Sequence, residues 1–129
     1  PGPGLGGHCI PVDPHYLAWS TKRHELDAKF IELASEINEA MPTHAVGKII
    51  EVLNWNFKSV NGSKILVLGV AYKRNIGDTR ESPAIPILKL LQAQGGDVIY
   101  HDPHVPQIQI GNDTHTSQEL TTELLQKSN

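Results

Sequence analysis

Lys64-Ile65-Leu66-Val67-Leu68-Gly69-Val70 is a short, almost unbroken apolar run. Such a run marks a strand buried on both faces, as in a parallel sheet. Asn61-Gly62-Ser63 before it is a turn signal. After it, Ala71 to Arg80 reads as a polar loop. Pro83 to Gln94 then reads as a helix with Ile85, Leu88 and Leu91 on one face and Gly95-Gly96 as its stop. Asp97-Val98-Ile99-Tyr100 follows as a second strand, closed by His101-Asp102-Pro103-His104. The pattern is one β-α-β unit, whose strands the crossover rule makes parallel. Residues 105–115 read as loop, and Gln118 to Gln126 as a final short helix.

Upstream of the run the pattern is helical. From Tyr16 to Met41, Leu26, Phe30, Leu33, Ile37 and Met41 recur at steps of three or four and form one stripe. Pro42 interrupts the pattern. Thr43 is a candidate N-cap for a second segment from Ala45 to Phe57, with Val46, Ile49, Ile50 and Leu53 on one face. One kinked helix and two helices both fit. The stripe has two readings as well, packing on the rest of a domain or forming a subunit interface. Residues 1–15 read as loop. The expected fold class is α/β, a helical segment followed by an incomplete parallel unit. Its divisions are 1–15, 16–60 and 61–129.

A chain of 129 residues fits one ordinary domain or two small pieces. A net charge of -3 provides no basic field for nucleic acid. Lys and Arg are scattered, with no polybasic run for a membrane surface. No apolar stretch reaches the ~18 residues of a membrane span. The first residues are rich in Gly and Pro and do not read as a secretory leader. The single cysteine allows no internal disulfide, so a reducing cytoplasm is expected. The chain opens in a glycine-rich loop and stops where a third strand is due, so a portion of a longer protein is expected.

Gly2-x-Gly4-x-x-Gly7 spells a dinucleotide fingerprint. Those glycines work between a strand and a helix. No strand can precede residue 2, and Pro11 and Pro14 oppose a clean helix start after it. The dinucleotide reading is therefore rejected. The glycines instead lead into His8-Cys9, with Asp13 four residues on. Four glycines in so short a stretch let backbone approach a ligand and expose a thiol, and a thiolate near polar donors is a good nucleophile. The alternative for a lone cysteine is a small buried apolar residue. His8, Cys9, Asp13 and His15 form one group of metal-ligand types, and His101, Asp102 and His104 another. Neither has a zinc-ligand spacing, and no metal is expected. Lys73 and Arg80 lie in the loop after a parallel strand's carboxyl end, where ligands bind in such sheets. Lys73 as a solvated lysine, and Arg80 as a partner of Asp78 or Glu81 that holds the loop, are the structural alternatives.

Gly6-Gly7-His8-Cys9-Ile10-Pro11-Val12-Asp13-Pro14 resembles the active-site cysteine motif of the UDP-glucose/GDP-mannose dehydrogenase family, the nucleotide-sugar dehydrogenases. Gly69-Val70-Ala71-Tyr72-Lys73, running on through Asp78, Arg80, Glu81 and Ser82 to Pro83, resembles the motif after the first strand of that family's UDP-binding domain. Ile37-Asn38-Glu39-Ala40-Met41-Pro42 is similar to the end of its central helix. The three blocks stand in family order and cover almost the whole chain.

The resemblance implies an NAD-binding domain, a dimer-forming central helix and a C-terminal Rossmann-like domain for the nucleotide sugar. The chain matches from the catalytic loop into the last of these, and the NAD domain lies outside the match. It also implies a four-electron oxidation of the sugar C6 alcohol to a carboxylate, with two NAD⁺ reduced. Cys9 would form a thiohemiacetal and then a thioester, and Asp13 would orient or activate the hydrolytic water. Gly4, Gly6, Gly7 and His8 would bind the sugar or nucleotide, with Lys73 and Arg80 at the nucleotide-sugar site. His8 and Val12 look more like the branch acting on UDP-N-acetylmannosamine, with the UDP-N-acetylglucosamine dehydrogenases close by, and the products of such enzymes feed surface polysaccharides. The implied partners are a UDP-sugar and a second copy of the chain. The rival reading is a non-catalytic module that dimerises and binds a nucleotide.

Overall fold

The computed structural model describes residues 2–128. Pro1 and Asn129, the outer ends of the first and last predicted segments, lie outside the described residues. The elements in order are α1 (Asp13–Lys22), α2 (Lys29–Trp55), β1 (Lys64–Leu68), α3 (Ala84–Ala93), β2 (Asp97–His101), β3 (Gln107–Ile110), β4 (Asp113–Thr116) and α4 (Thr122–Lys127). The chain is α/β, as expected. β1 and β2 pair in parallel from Lys64↔Asp97 to Leu68↔His101, with α3 as the crossover.

α3 starts after Pro83, where Ser82 Oγ accepts from Ala84 N–H at 3.3 Å. It stops as the sequence implies: Gly95 takes φ +83, and the N–H of Gly96 donates to the Leu91 carbonyl at 3.0 Å. Its buried face, Ile87, Leu88 and Leu91, joins Val46 and Leu53 of α2, Ile65 of β1, and Val98 and Tyr100 of β2 in one core. In a parallel pair, residues in register share a face. Ile65, Val67, Val98 and Tyr100 therefore face this core, while Leu66 and Ile99 lie half-buried on the other side and Leu68 is 62% exposed. The strand is thus covered on one face, not both, because a single helical layer packs on it among the described residues.

Three helical expectations change. α1 begins at Asp13, inside the predicted loop, because Pro14 falls in the first turn, where a missing N–H costs nothing. The predicted Tyr16–Met41 helix is broken between α1 and α2, where Glu25 takes φ +60. Leu26 therefore lies off the helix that carries the rest of its stripe. Lys22 and Glu32 join the two helices through an ion pair at 2.5 Å. Pro42 does not end a helix, and Thr43 caps nothing: α2 runs through both as one element. Proline cannot donate to the carbonyl four residues back, here that of Asn38. That half of α2 also exposes Phe30, Leu33 and Ile37.

Residues 105–115 are not loop throughout. Ile108 and Ile110 of β3 are buried and alternate with exposed glutamines, and β3 pairs antiparallel with β4 through Gly111-Asn112. Gly111 takes φ +63, as the first residue of this two-residue turn requires. α4 is shorter than predicted, because Thr121 caps it by accepting from Leu124 N–H at 3.1 Å.

Candidate functional site

The site is built outward from the carboxyl ends of β1 and β2. Asp102 follows β2 and is buried. Its Oδ2 accepts from Val70 N–H at 2.9 Å and from Ala71 N–H at 3.2 Å, and its Oδ1 accepts from His104 N–H at 2.8 Å. Burial pushes the carboxyl's pKa up, but the N–H groups of Val70, His104 and Ala71 outweigh it, and the net shift is below the ordinary value. Ser117 Oγ accepts the Asp102 N–H at 2.9 Å, and His101 Nδ1 lies 2.7 Å from the Gln118 carbonyl. The His101 and Asp102 side chains, read earlier with His104 as possible metal ligands, are therefore engaged with backbone. Among the described residues no three His, Cys, Asp or Glu side chains converge as a metal shell.

From Ala71 the connection to α3 folds back on itself. Tyr72 N–H donates to the Asp78 carbonyl at 3.1 Å. Arg80 grips the Asp78 carboxylate, Nε at 3.0 Å and Nη2 at 2.6 Å, and with its own backbone N–H at 3.0 Å. These bonds from Arg80 hold the Asp78 carboxyl at about 2, with a smaller contribution from the nearby His8. Arg80 thus pairs with Asp78 and holds the loop, while its side chain stays 67% exposed. Glu81 follows at φ +51, a strained conformation for a residue with a Cβ.

The glycine-rich loop docks on this turn. Gly7 is buried at φ +84 and donates its N–H to the Arg80 carbonyl at 3.1 Å. A methyl built on Gly7 would meet Tyr72 Cε2 at 2.9 Å, and one on Gly6 would meet Tyr72 Cβ at 2.5 Å and the Glu81 carbonyl at 2.8 Å. A methyl on Gly4 would meet Pro83 Cβ at 3.3 Å and the Asn38 carbonyl at 3.4 Å, the carbonyl that Pro42 cannot reach. So the three sequence blocks meet: the cysteine loop, the middle of α2 and the turn before α3. Gly4, Gly6 and Gly7 spend their missing side chains on this docking.

Cys9 is exposed, and its carbonyl accepts from Val12 N–H at 3.1 Å and Asp13 N–H at 2.8 Å. Cys9 and Asp13 are thereby brought together through the backbone at the start of α1. His8 is exposed beside them. A cleft of about 900 Å³ opens between this loop, α2 and α3, lined by Ile10, Val12, Asn38, Pro42, Glu81 and Ser82 among others. Lys73 is not in it. Lys73 lines a separate recess of about 250 Å³ at the strand ends, with Arg74, Asp102 and His104. Tyr72 and Asp102 were missed as site-building residues by sequence reasoning. The Asp-Pro pair directly after the second strand was the one signal for Asp102, and nothing local marked Tyr72.

The described residues do not fit NAD. The strand–helix connection carries no glycine fingerprint, Pro83 at the N-cap of α3 offers no N–H, and Tyr72 and Glu81 fill the space over Gly6 and Gly7.

A parallel strand–helix–strand unit with its loops gathered at the carboxyl edge is the building unit of α/β ligand-binding domains. Residues 66–128 match the family model for the UDP binding domain of the UDP-glucose/GDP-mannose dehydrogenase family, and residues 1–40 match that for its central domain. The chain belongs to the UDP-glucose/GDP-mannose dehydrogenase family. It is 40% identical over 104 residues to the UDP-N-acetyl-D-mannosamine dehydrogenase of Methanococcus maripaludis, covering 81% of this chain and 23% of that protein. The solved UDP-D-ManNAc dehydrogenase from Pyrococcus horikoshii superposes with TM-score 0.75 at 39% identity, over 81% of this chain and 24% of that one. A UDP-glucose dehydrogenase from Pyrobaculum islandicum gives TM-score 0.78 at 29% identity, over 98% and 29%. The chain thus spans about a quarter of the length of these relatives. Among the described residues no helix is long and apolar enough to cross a membrane.

Asp102→Ala leaves the buried Val70 N–H without its acceptor and is expected to cost about 1–3 kcal/mol. The folded Asp102 carboxyl has a lowered pKa, so its contribution is complete above the ordinary carboxylate range and is lost as pH falls through the depressed value. Urea midpoints should therefore separate wild type from Asp102→Ala near neutral pH and converge in strong acid.

Proposed function

We propose that this chain is the cysteine-loop, central-helix and UDP-sugar-binding part of an NAD-dependent nucleotide-sugar 6-dehydrogenase. The observation that carries the reading is the exposed Cys9 on a loop pinned at Gly6 and Gly7 against the turn from Asp78 to Glu81. A thiol that is accessible yet held in place suits covalent capture of a carbonyl carbon. Cys9 Sγ, as a thiolate, adds to the C6 aldehyde, whose oxygen takes up a proton; loss of hydride from that carbon to NAD⁺ and of the hydroxyl proton would leave a thioester on Cys9. Water adds to the thioester carbon, Asp13 takes the water's proton, and Cys9 leaves as the thiolate. Hydride removal is assigned to no residue of this chain. The divisions are the cysteine loop at 1–15, the central segment at 16–60 and the UDP-sugar domain at 61–129.

The substrate is a UDP-sugar, with UDP-N-acetylmannosamine favoured by His8, Val12 and the names of the relatives above. The product feeds surface polysaccharide, and the enzyme works in the cytoplasm. Lys73 meets the nucleotide's phosphates from the recess at the strand ends, while Gly4 and His8 border the sugar through backbone and imidazole; Gly6 and Gly7, expected there too, serve it by holding the loop against Tyr72 and Arg80. Arg80 acts through its grip on Asp78.

A homodimer is favoured by one further observation. Phe30 is 89% exposed, and Leu33 and Ile37 stand on the same stripe of α2. A second copy covers such a stripe with itself. The non-catalytic alternative shares this dimer and the nucleotide, and differs only at Cys9.

In an enzyme joining this chain to a nicotinamide-binding domain, Cys9→Ser should abolish the second oxidation, read as loss of acid product per UDP-sugar consumed. Normal acid formation in that variant refutes the covalent role. Calorimetry with UDP on this chain should show Lys73→Ala binding about 10- to 100-fold more weakly, the loss of one charged hydrogen bond. Equal affinity removes Lys73 from the site. Sedimentation should give a dimer for the wild-type chain and a monomer for Phe30→Glu.

A further inference from the structure

We propose that Tyr72 is a positioning residue for Cys9, holding the thiol's loop in place from the same connection that carries Lys73. The proposal rests on the reading of Cys9 as the nucleophile, but not on any ligand being bound. Gly7 is buried and Cys9, two residues later, is exposed. What fixes the chain between them lies on one side of each. Before Cys9, the Tyr72 ring edge stands where a Gly7 side chain would project, and the Arg80 carbonyl takes the Gly7 N–H. After Cys9, its own carbonyl is held by Val12 and Asp13 at the start of α1. Only His8 separates Gly7 from Cys9, so a shift at Gly7 is carried to the thiol with one residue to absorb it.

Tyr72 is itself held. Its neighbour Ala71 donates to buried Asp102, and its own N–H donates to the Asp78 carbonyl. The Tyr72 atoms nearest the space beside Gly6 and Gly7 are carbons, Cβ and the ring edge. Lys73 is the next residue and lines the recess at the strand ends, whereas the cysteine loop borders the larger cleft. Tyr72 adjoins Lys73 in the chain and packs on the glycines of the cysteine loop.

The test uses the chain itself, without substrate, because its single cysteine makes thiol chemistry unambiguous. Second-order rates of Cys9 with Ellman's reagent are compared for wild type, Tyr72→Phe and Tyr72→Ala, with hydrogen exchange measured on the same proteins. Tyr72→Phe keeps the ring edge and should react at the wild-type rate. Tyr72→Ala should change the rate about threefold or more, in the range that a coupled neighbour produces. It should also speed exchange at the Gly7 amide while the β1 and β2 amides stay protected. If Tyr72→Ala loses strand protection, Tyr72→Leu, which keeps bulk but not the ring edge, is read by the same criterion. A wild-type thiol rate with an unchanged Gly7 amide overturns the proposal. So does a Tyr72→Phe rate that moves as far as the truncated variant's. Failure of the catalytic reading is separate: it is seen as acid formation by Cys9→Ser in the joined enzyme, and leaves these rates to decide the role of Tyr72.

Discussion

The Asp102 carboxylate, buried behind β2, anchors the second and third residues of the long connection that leaves β1, Val70 and Ala71. A buried carboxylate without partners costs several kcal/mol, and backbone N–H groups left without acceptors add to that. Here each deficit cancels the other. Val70 and Ala71 have left the strand ladder and need acceptors, and Asp102 supplies them from the parallel neighbour. The bond also works at long range in sequence, joining residues 31 and 32 positions apart. With the Gly69 N–H donating to the His101 carbonyl at 2.8 Å, this group holds the chain as it leaves β1 towards Tyr72.

From that anchor the site follows by contact. Tyr72 meets Gly6 and Gly7, the Arg80 carbonyl takes the Gly7 N–H, and Gly4 settles between Pro83 and α2. A glycine-rich stretch is readily taken for a ligand cradle, since bare backbone can approach a phosphate closely. In this chain the same property lets two segments of the protein approach each other. Any side chain at Gly6 would strike the Glu81 carbonyl, a backbone atom that cannot move aside as a flexible side chain could. The strain at Glu81 belongs to the same arrangement, because its left-handed turn is part of the segment that brings this carbonyl against the loop.

The sequence made the parallel unit legible because apolar content, a glycine stop and loop polarity all pointed the same way from Lys64 to Tyr100. It misled where one local signal stood alone. Pro42 reads as a break, yet the packing of Val46 and Leu53 outweighs one lost helical bond and α2 continues. The stripe through Leu26 reads as unbroken, yet no glycine or proline marks the turn at Glu25. The β3–β4 hairpin was written plainly in Gln-Ile-Gln-Ile and Gly-Asn, but alternation over so few residues is easily passed over. For the site, Cys9 and Asp13 were readable as a pair, and the backbone joins them. The partition of Lys73 into its own recess was not readable, since it depends on which way a folded connection turns.

α2 shows how one helix serves two environments. After Pro42 its face is core, held by α3 and the sheet through Val46 and Leu53. Before Pro42 its apolar side chains stand in solvent, led by Phe30. The proline marks the boundary and does more than mark it. By withholding an N–H from the Asn38 carbonyl it leaves an acceptor on the helix surface, and Gly4 brings the start of the cysteine loop against that carbonyl. The loop therefore lies close to the fold at both ends of its glycine run, beside α2 at Gly4 and against the connection from β1 at Gly6 and Gly7. A loop held at one point could swing about it. With the fold close at both, it carries Cys9 out into solvent in a position set by the fold rather than by the loop's own freedom.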